Sequence, residues 1–287
     1  MSCGKVKSMV NSVGDTKKGF QKRLNYNICD FQDLVKLLCG PDGCPWDREQ
    51  THQSIKHNLL EEAYEAAEAL DNGDTQGFIE ELGDILMQIL FHADIAEREG
   101  EFDLDRISDI ACQKLIRRHP HVFNESRAVN STESLDFWDN AKREEKSHST
   151  TYEAMQAVAR NLPELWRADK IQKKAAKVGF DWPTYEGALE TLKSELTELE
   201  EAIKDTADSQ TGEYNTVKEE IGDLLFSAVN VARFFNIDPE EALSATNNKF
   251  ISRFKKLECE ITAQGKEFSC MTLDEMETVY QQVKLEE

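Results

Sequence analysis

Two groups of carboxylates recur along this chain at helical spacing. Glu61, Glu62 and Glu65 are followed by Glu81 and Asp84 in the first half, and Glu195 and Glu198 by Glu220 and Asp223 in the second. Residues three and four apart lie on one side of a helix, so each group forms an acidic strip. Four or five carboxylates on facing helical surfaces repel one another unless a positive charge lies between them. Hard oxygen ligands in that number suit Mg²⁺ or Mn²⁺, which often keep waters and phosphate oxygens in their shell. Metal-assisted phosphate chemistry is the expectation, with one carboxylate available as a general base for water.

A second repeat complements the first. Lys114 and Arg118, and again Lys249 and Arg253, are four residues apart and project from one side of a helix. They are candidates for holding phosphate oxygens, Arg through a bidentate fork and Lys as a point charge; the alternative is a solvated basic stripe that includes Arg117. Trp46, in Cys44-Pro45-Trp46-Asp47, and Trp182, after Phe180, each precede an acidic helix. Either can stack on a base or cap the helical core, and Asp47 can instead N-cap the helix that follows. His92 lies among Leu90, Phe91 and Ala93 and reads as a core or interface residue. His119 and His121 bracket Pro120, where touching phosphate and capping a helix end are equally open. Cys44 has no distinctive base beside it, and no Gly-rich phosphate loop with Lys-Ser/Thr occurs.

The elements that must position these groups are helices. Apolar periodicity predicts helices over residues 30–39, 51–70, 75–97 and 104–118, the last ending before Pro120. In the second half it predicts a helix through Met155, Val158 and Leu162, then helices over 164–177, 185–206, 217–235 and 239–261, and a final one carrying Met271, Leu273, Met276, Val279 and Tyr280. Pro239 after Asp238 is the signature of a capped start. Residues 124–151 read as a linker with an island at Leu135, Phe137 and Trp138, the tryptophan docking on a domain surface. No segment of convincing period-two alternation occurs, which argues against a parallel sheet. Glu81-Leu82-Gly83-Asp84-Ile85-Leu86 aligns with Glu220-Ile221-Gly222-Asp223-Leu224-Leu225, so the chain reads as two related all-α modules. Gly83 and Gly222, inside apolar helices, are expected to permit close helix approach beside the metals.

Composition narrows the partners. The 287 residues carry 34 Lys and Arg against 55 Asp and Glu, a net charge of −21, which argues against a nucleic-acid polymer held by its backbone. Free nucleotides stay compatible, because a bound cation inverts the local field of an acidic cleft. Seven cysteines with no CxxC pair point to a reducing compartment and a cytoplasmic protein. The absence of a long apolar run argues for a soluble protein with no membrane partner. Residues 1–27 are expected to be a disordered basic tail, with an organelle presequence as the minor alternative.

The ordered motifs go further than any single strip. Cys44 to His52, Leu60-Glu61-Glu62-Ala63-Tyr64-Glu65, Glu81-Leu82-Gly83-Asp84, Lys114 to Phe123, Lys170 to Ala176, Gly179-Phe180-Asp181-Trp182 and Glu220 to Arg233 follow one another in a fixed sequence. In this the chain resembles the tandem-domain form of the MazG nucleoside triphosphate pyrophosphohydrolases over nearly everything after residue 30. The resemblance implies two tandem MazG-like helical domains, here residues 28–146 and 147–287, assembled as a homodimer. It implies Mg²⁺-dependent cleavage of nucleoside or deoxynucleoside triphosphates between the α- and β-phosphates, giving monophosphate and pyrophosphate, in a housecleaning role. Two adjacent glutamates, a third three residues later and a Glu-x-x-Asp form the family pattern, filled completely by Glu61, Glu62, Glu65, Glu81 and Asp84. In the second domain Ser194 stands at the first glutamate position, which puts that site's metal count or activity in doubt. The rival expectation is a nucleotide-binding regulator or scaffold with one or both sites inactive.

Overall fold

A computed structural model describes residues 20, 23–123, 130, 134, 137–138, 150–209 and 214–285; helices joined by turns make up this part, with no β-strand among the described residues. The chain divides into two compact units, Met1–Glu145 and Lys146–Glu287. In the first, α1 (Ile28–Cys39) begins with a capping box in which Asn27 and Asp30 satisfy each other's backbone donors. A short α2 (Pro45–Glu49), with proline at its start, leads to α3 (Lys56–Asp71) and α4 (Thr75–Glu99), which pack against each other. Then come α5 (Leu104–Arg118) and a turn of helix, α6 (Pro120–Phe123). The core lies where α1 meets α4: Val35, Cys39, Leu90, Phe91 and Ile95 are buried together with Ile55. Each such large side chain contributes roughly 1.5–3 kcal/mol of burial.

The second unit repeats the packed pair. α7 (Thr151–Gln156) and α8 (Glu164–Ala176) precede α9 (Tyr185–Ser209), whose main partner is α10 (Asn215–Phe234). α11 (Pro239–Ala263) and α12 (Leu273–Leu285) close it over Leu257, Ile261 and Val279. Asp238 caps α11 by accepting from the backbone N–H of Glu240 and Glu241, as the Asp-Pro signature predicts.

Several local expectations change. The second predicted helix starts at Lys56 rather than Thr51. The Thr51 N–H donates to Ser54 Oγ at 2.9 Å and Ser54 Oγ to Gln50 Oε1 at 2.8 Å, so side chains divert this stretch into a turn. Asp47 lies within α2 and does not cap α3, whose N-cap is Ile55 without a side-chain bond. The helix expected through Leu162 stops at Gln156, where the Val158 N–H turns back to the Met155 carbonyl at 3.1 Å and ends the helical ladder.

Gly83 and Gly222 do not serve a close approach within their units. A Cβ added at either would meet nothing within 4 Å. Most of the predicted tail lies outside the described residues, but its end is built into the first unit. Phe20 stacks on Tyr26 with centroids 5.8 Å apart, and Arg23 pairs with Asp30 at 2.7 Å. Of the linker island, Leu135 lies outside the described residues. Trp138 docks on the end of α5, 5.1 Å from the His119 ring and 5.0 Å from the Arg118 guanidinium carbon.

Candidate functional site

Helix pairing brings the first acidic strip together. α3 turns into α4 across residues 72–74, where Asp74 accepts from the Gly77 N–H at 3.0 Å and starts the second helix. Carboxylate oxygens of Glu62, Glu81 and Asp84 then lie within 4.8 Å of one another, all three side chains partly buried. Glu61 and Glu65 are exposed and stand outside this set of three. They still act on it. Burial first, then the charges of Asp84, Glu65, Glu81 and Glu61, raise the Glu62 carboxyl above its ordinary value. Glu81 is raised by burial, Glu65 and Asp84, against a hydrogen bond with Glu62 that works the other way. An acid with this much negative charge around it gains from a nearby cation.

The second unit builds a similar group from a different selection. Glu195 and Glu198 of α9 and Glu220 of α10 have oxygens within 4.8 Å of one another. Burial, then Glu198, Asp223 and Glu220, raise the Glu195 carboxyl. Glu62 with Glu81 thus corresponds to Glu195 with Glu220, while the third member is Asp84 in one unit and Glu198 in the other. Ser194 donates its hydroxyl to Glu198 Oε1 at 3.0 Å. The residue it matches, Glu61, is outside the close group in the first unit. The substitution therefore removes a carboxylate from the rim and adds a donor that orients a member of the group.

The basic pairs sit on other helices. Lys114 is exposed on α5, whereas Arg118 is buried at 6% exposure with its guanidinium over Trp138, so the two differ in environment despite sharing a side. Lys249 is exposed on α11 and Arg253 partly buried. Trp46, 60% exposed, does not cap the core, and Trp182 is 47% exposed. His119 places Nδ1 2.7 Å from the Leu115 carbonyl, a helix-end contact. The Cys39 thiol is pushed up to about 12, chiefly by burial, and carries no nucleophilic thiolate near neutral pH.

Two arrangements escaped the sequence reading. His52 and His92 bring their Nδ1 atoms to 2.7 Å with rings stacked at 5.0 Å, and His52 also gathers with Glu99 and Glu101 within 4.8 Å. Arg233 grips Asp181 through both terminal nitrogens, locking the loop that carries Trp182. Their partners lie 40 and 52 residues apart in the chain, and no local pattern marks such pairs.

Paired helices with converging carboxylates, present once in each unit, define an all-α protein of two modules suited to divalent cations. The family model for the MazG nucleotide pyrophosphohydrolase domain matches residues 50–123 and 183–257, spans that contain both acidic groups and both basic pairs. The chain is 42% identical over 255 residues to the nucleoside triphosphate pyrophosphohydrolase of Escherichia coli K12, covering 88% of this chain and 95% of the relative. It is 40% identical over 257 residues to the nucleoside triphosphate pyrophosphohydrolase/pyrophosphatase MazG of Thermotoga maritima, again covering 88% and 95%. An uncharacterized protein of Bacillus subtilis, YabN, matches at 41% over 264 residues, which is 92% of this chain and 53% of that protein. The chain belongs to the MazG nucleotide pyrophosphohydrolase family, with two MazG domains.

Proposed function

We propose that the protein hydrolyses nucleoside and deoxynucleoside triphosphates to the monophosphate and pyrophosphate, using Mg²⁺, with Mn²⁺ as a substitute. The observation that carries this reading is the convergence of Glu62, Glu81 and Asp84, and of Glu195, Glu198 and Glu220, within the two spans matched by the family. The donor set is all oxygen, crowded and negative, which fits a hard divalent cation. Glu61, Glu65 and Asp223, at the rims, complete the ligand sets or take a proton from the attacking water. The cation's chemistry is to polarise phosphate oxygens and neutralise charge on the leaving pyrophosphate. Lys114, Arg118, Lys249 and Arg253 hold phosphate oxygens, and Trp46 and Trp182 contact the base.

Residues 28–146 and 147–287 are taken as the two domains. A homodimer fits the exposed Leu60, Tyr64, Ile79 and Leu82 on α3 and α4; a sedimentation mass equal to one chain removes it. No helix among the described residues is long and apolar enough to cross a membrane; the cytoplasmic setting is part of this proposal, and cell fractionation checks it. The full chain with a nucleoside triphosphate and Mg²⁺ is expected to yield monophosphate and pyrophosphate on anion exchange. Diphosphate with orthophosphate, or nucleotide binding without either product pair, overturns the assignment; the latter supports a regulator instead.

A further inference from the structure

The loop ahead of α9 is organised around one indole. Gly179 turns the chain with φ +85°, and Asp181 accepts from Arg233 Nη1 at 2.9 Å and Nη2 at 2.5 Å. Arg233 Nη2 also reaches Asn230 Oδ1 at 2.6 Å, and its guanidinium carbon lies 4.9 Å from the Phe234 ring centroid. These hydrogen bonds hold the Asp181 carboxyl below its usual value. The same Asp181 carboxylate accepts from the Trp182 N–H at 2.9 Å, so the clamp reaches the backbone of the tryptophan.

The ring itself rests on Gly187. A Cβ there would sit 2.7–3.0 Å from three indole atoms, so glycine is what lets the ring lie against the helix. Yet Trp182 keeps 47% of its surface exposed. An aromatic side chain immobilised on one side and open on the other is a stacking platform. Gly187 precedes Glu195 by eight residues on α9, about 12 Å of helix rise. That span is comparable to a triphosphate chain with its sugar.

We propose that Arg233, acting through Asp181, and Gly187 are positioning residues that hold Trp182 as the base-stacking platform of the second unit. The phosphates would then lie at Glu195, Glu198 and Glu220, a placement that rests on the pyrophosphohydrolase reading. Any base offers a π-face, so the platform confers affinity for nucleosides over base-free polyphosphates and little choice among bases. Lysine cannot replace Arg233, since it lacks the planar fork that engages both Asp181 oxygens.

The test compares Trp182→Ala, Trp182→Phe, Gly187→Ala and Arg233→Lys in the full chain. Calorimetry with Mg²⁺ follows binding of an α,β-methylene nucleoside triphosphate and, separately, of inorganic tripolyphosphate. Trp182→Ala, Gly187→Ala and Arg233→Lys are each expected to weaken nucleotide binding at one class of site by about 10-fold. Trp182→Phe keeps most of the affinity, and tripolyphosphate binding stays the same in all four. Unchanged nucleotide affinity in Trp182→Ala overturns the proposal, as does a parallel loss of tripolyphosphate binding, which marks a structural role only. Trp182-dependent nucleotide binding in a wild-type chain that releases no pyrophosphate would defeat the hydrolase reading and leave the platform standing.

Discussion

Glu62 and Glu195 hold the same place in their units, each partly buried beside carboxylates from its own helix and the next, and each raised above its ordinary value. Such side chains cost stability while no cation lies between them, which favours the proposed binding role over a packing one. His92 is perturbed for a different reason. Burial, then the neighbouring His52, hold it below the ordinary histidine value of 6.5. The unfolded chain therefore takes up a proton at this residue at higher pH than the folded chain does. Its effect on stability is absent well above the ordinary value and becomes a loss as pH falls from there toward the depressed folded value. Urea unfolding at about pH 7.5 and about pH 5.5 should show a smaller acid loss for His92→Gln than for wild type. Equal losses in the two proteins would show that His92 does not titrate differently on folding.

At the scale of elements, caps and turns decide where each functional strip begins. Asp238 does two jobs: it caps α11 through the Glu240 and Glu241 N–H groups, and both its oxygens lie 2.8 Å from Trp166 Nε1 on α8. Replacing it by alanine removes a cap, a loss of about 1 kcal/mol, and leaves a partly buried indole N–H without its acceptor, on the order of 1–3 kcal/mol more. Asp238→Ala is thus expected to lower the urea midpoint clearly, with Asp238→Asn retaining much of the stability. A midpoint shift under half a kcal/mol equivalent would mean that water replaces both contacts. Gln172 on α8 likewise ties to α10, its Nε2 donating to the Phe226 carbonyl at 2.8 Å. Two polar contacts from α8 therefore brace α10 and the start of α11, helices that carry Glu220, Asp223 and the basic pair.

For the whole molecule, the issue is whether the two units work alike. Their groups differ in the third carboxylate, and Ser194 orients Glu198 in one of them. Glu62→Gln and Glu195→Gln, made separately, are each expected to weaken Mg²⁺ binding in their own unit by more than the ~10–100-fold typical of losing an outer partner of a ligand. Each single variant keeps the turnover of the other unit, and the double variant has none. Full activity in Glu62→Gln with none in Glu195→Gln would assign all turnover to the second unit. Most helices, the repeat and both acidic strips were legible in the sequence, because helical periodicity and i, i+3 and i, i+4 spacing are local properties of the chain. The start of α3 and the end of α7 were not, since side-chain hydrogen bonds at Ser54 and a tight backbone turn from Val158 to Met155 overrode apolar periodicity. The tertiary structure alone decided which three of the carboxylates converge, that Arg118 is buried under Trp138, and that Arg233 clamps the Trp182 loop. Each depends on how two distant segments pack, and one-dimensional spacing sets the face a residue occupies without setting what meets that face.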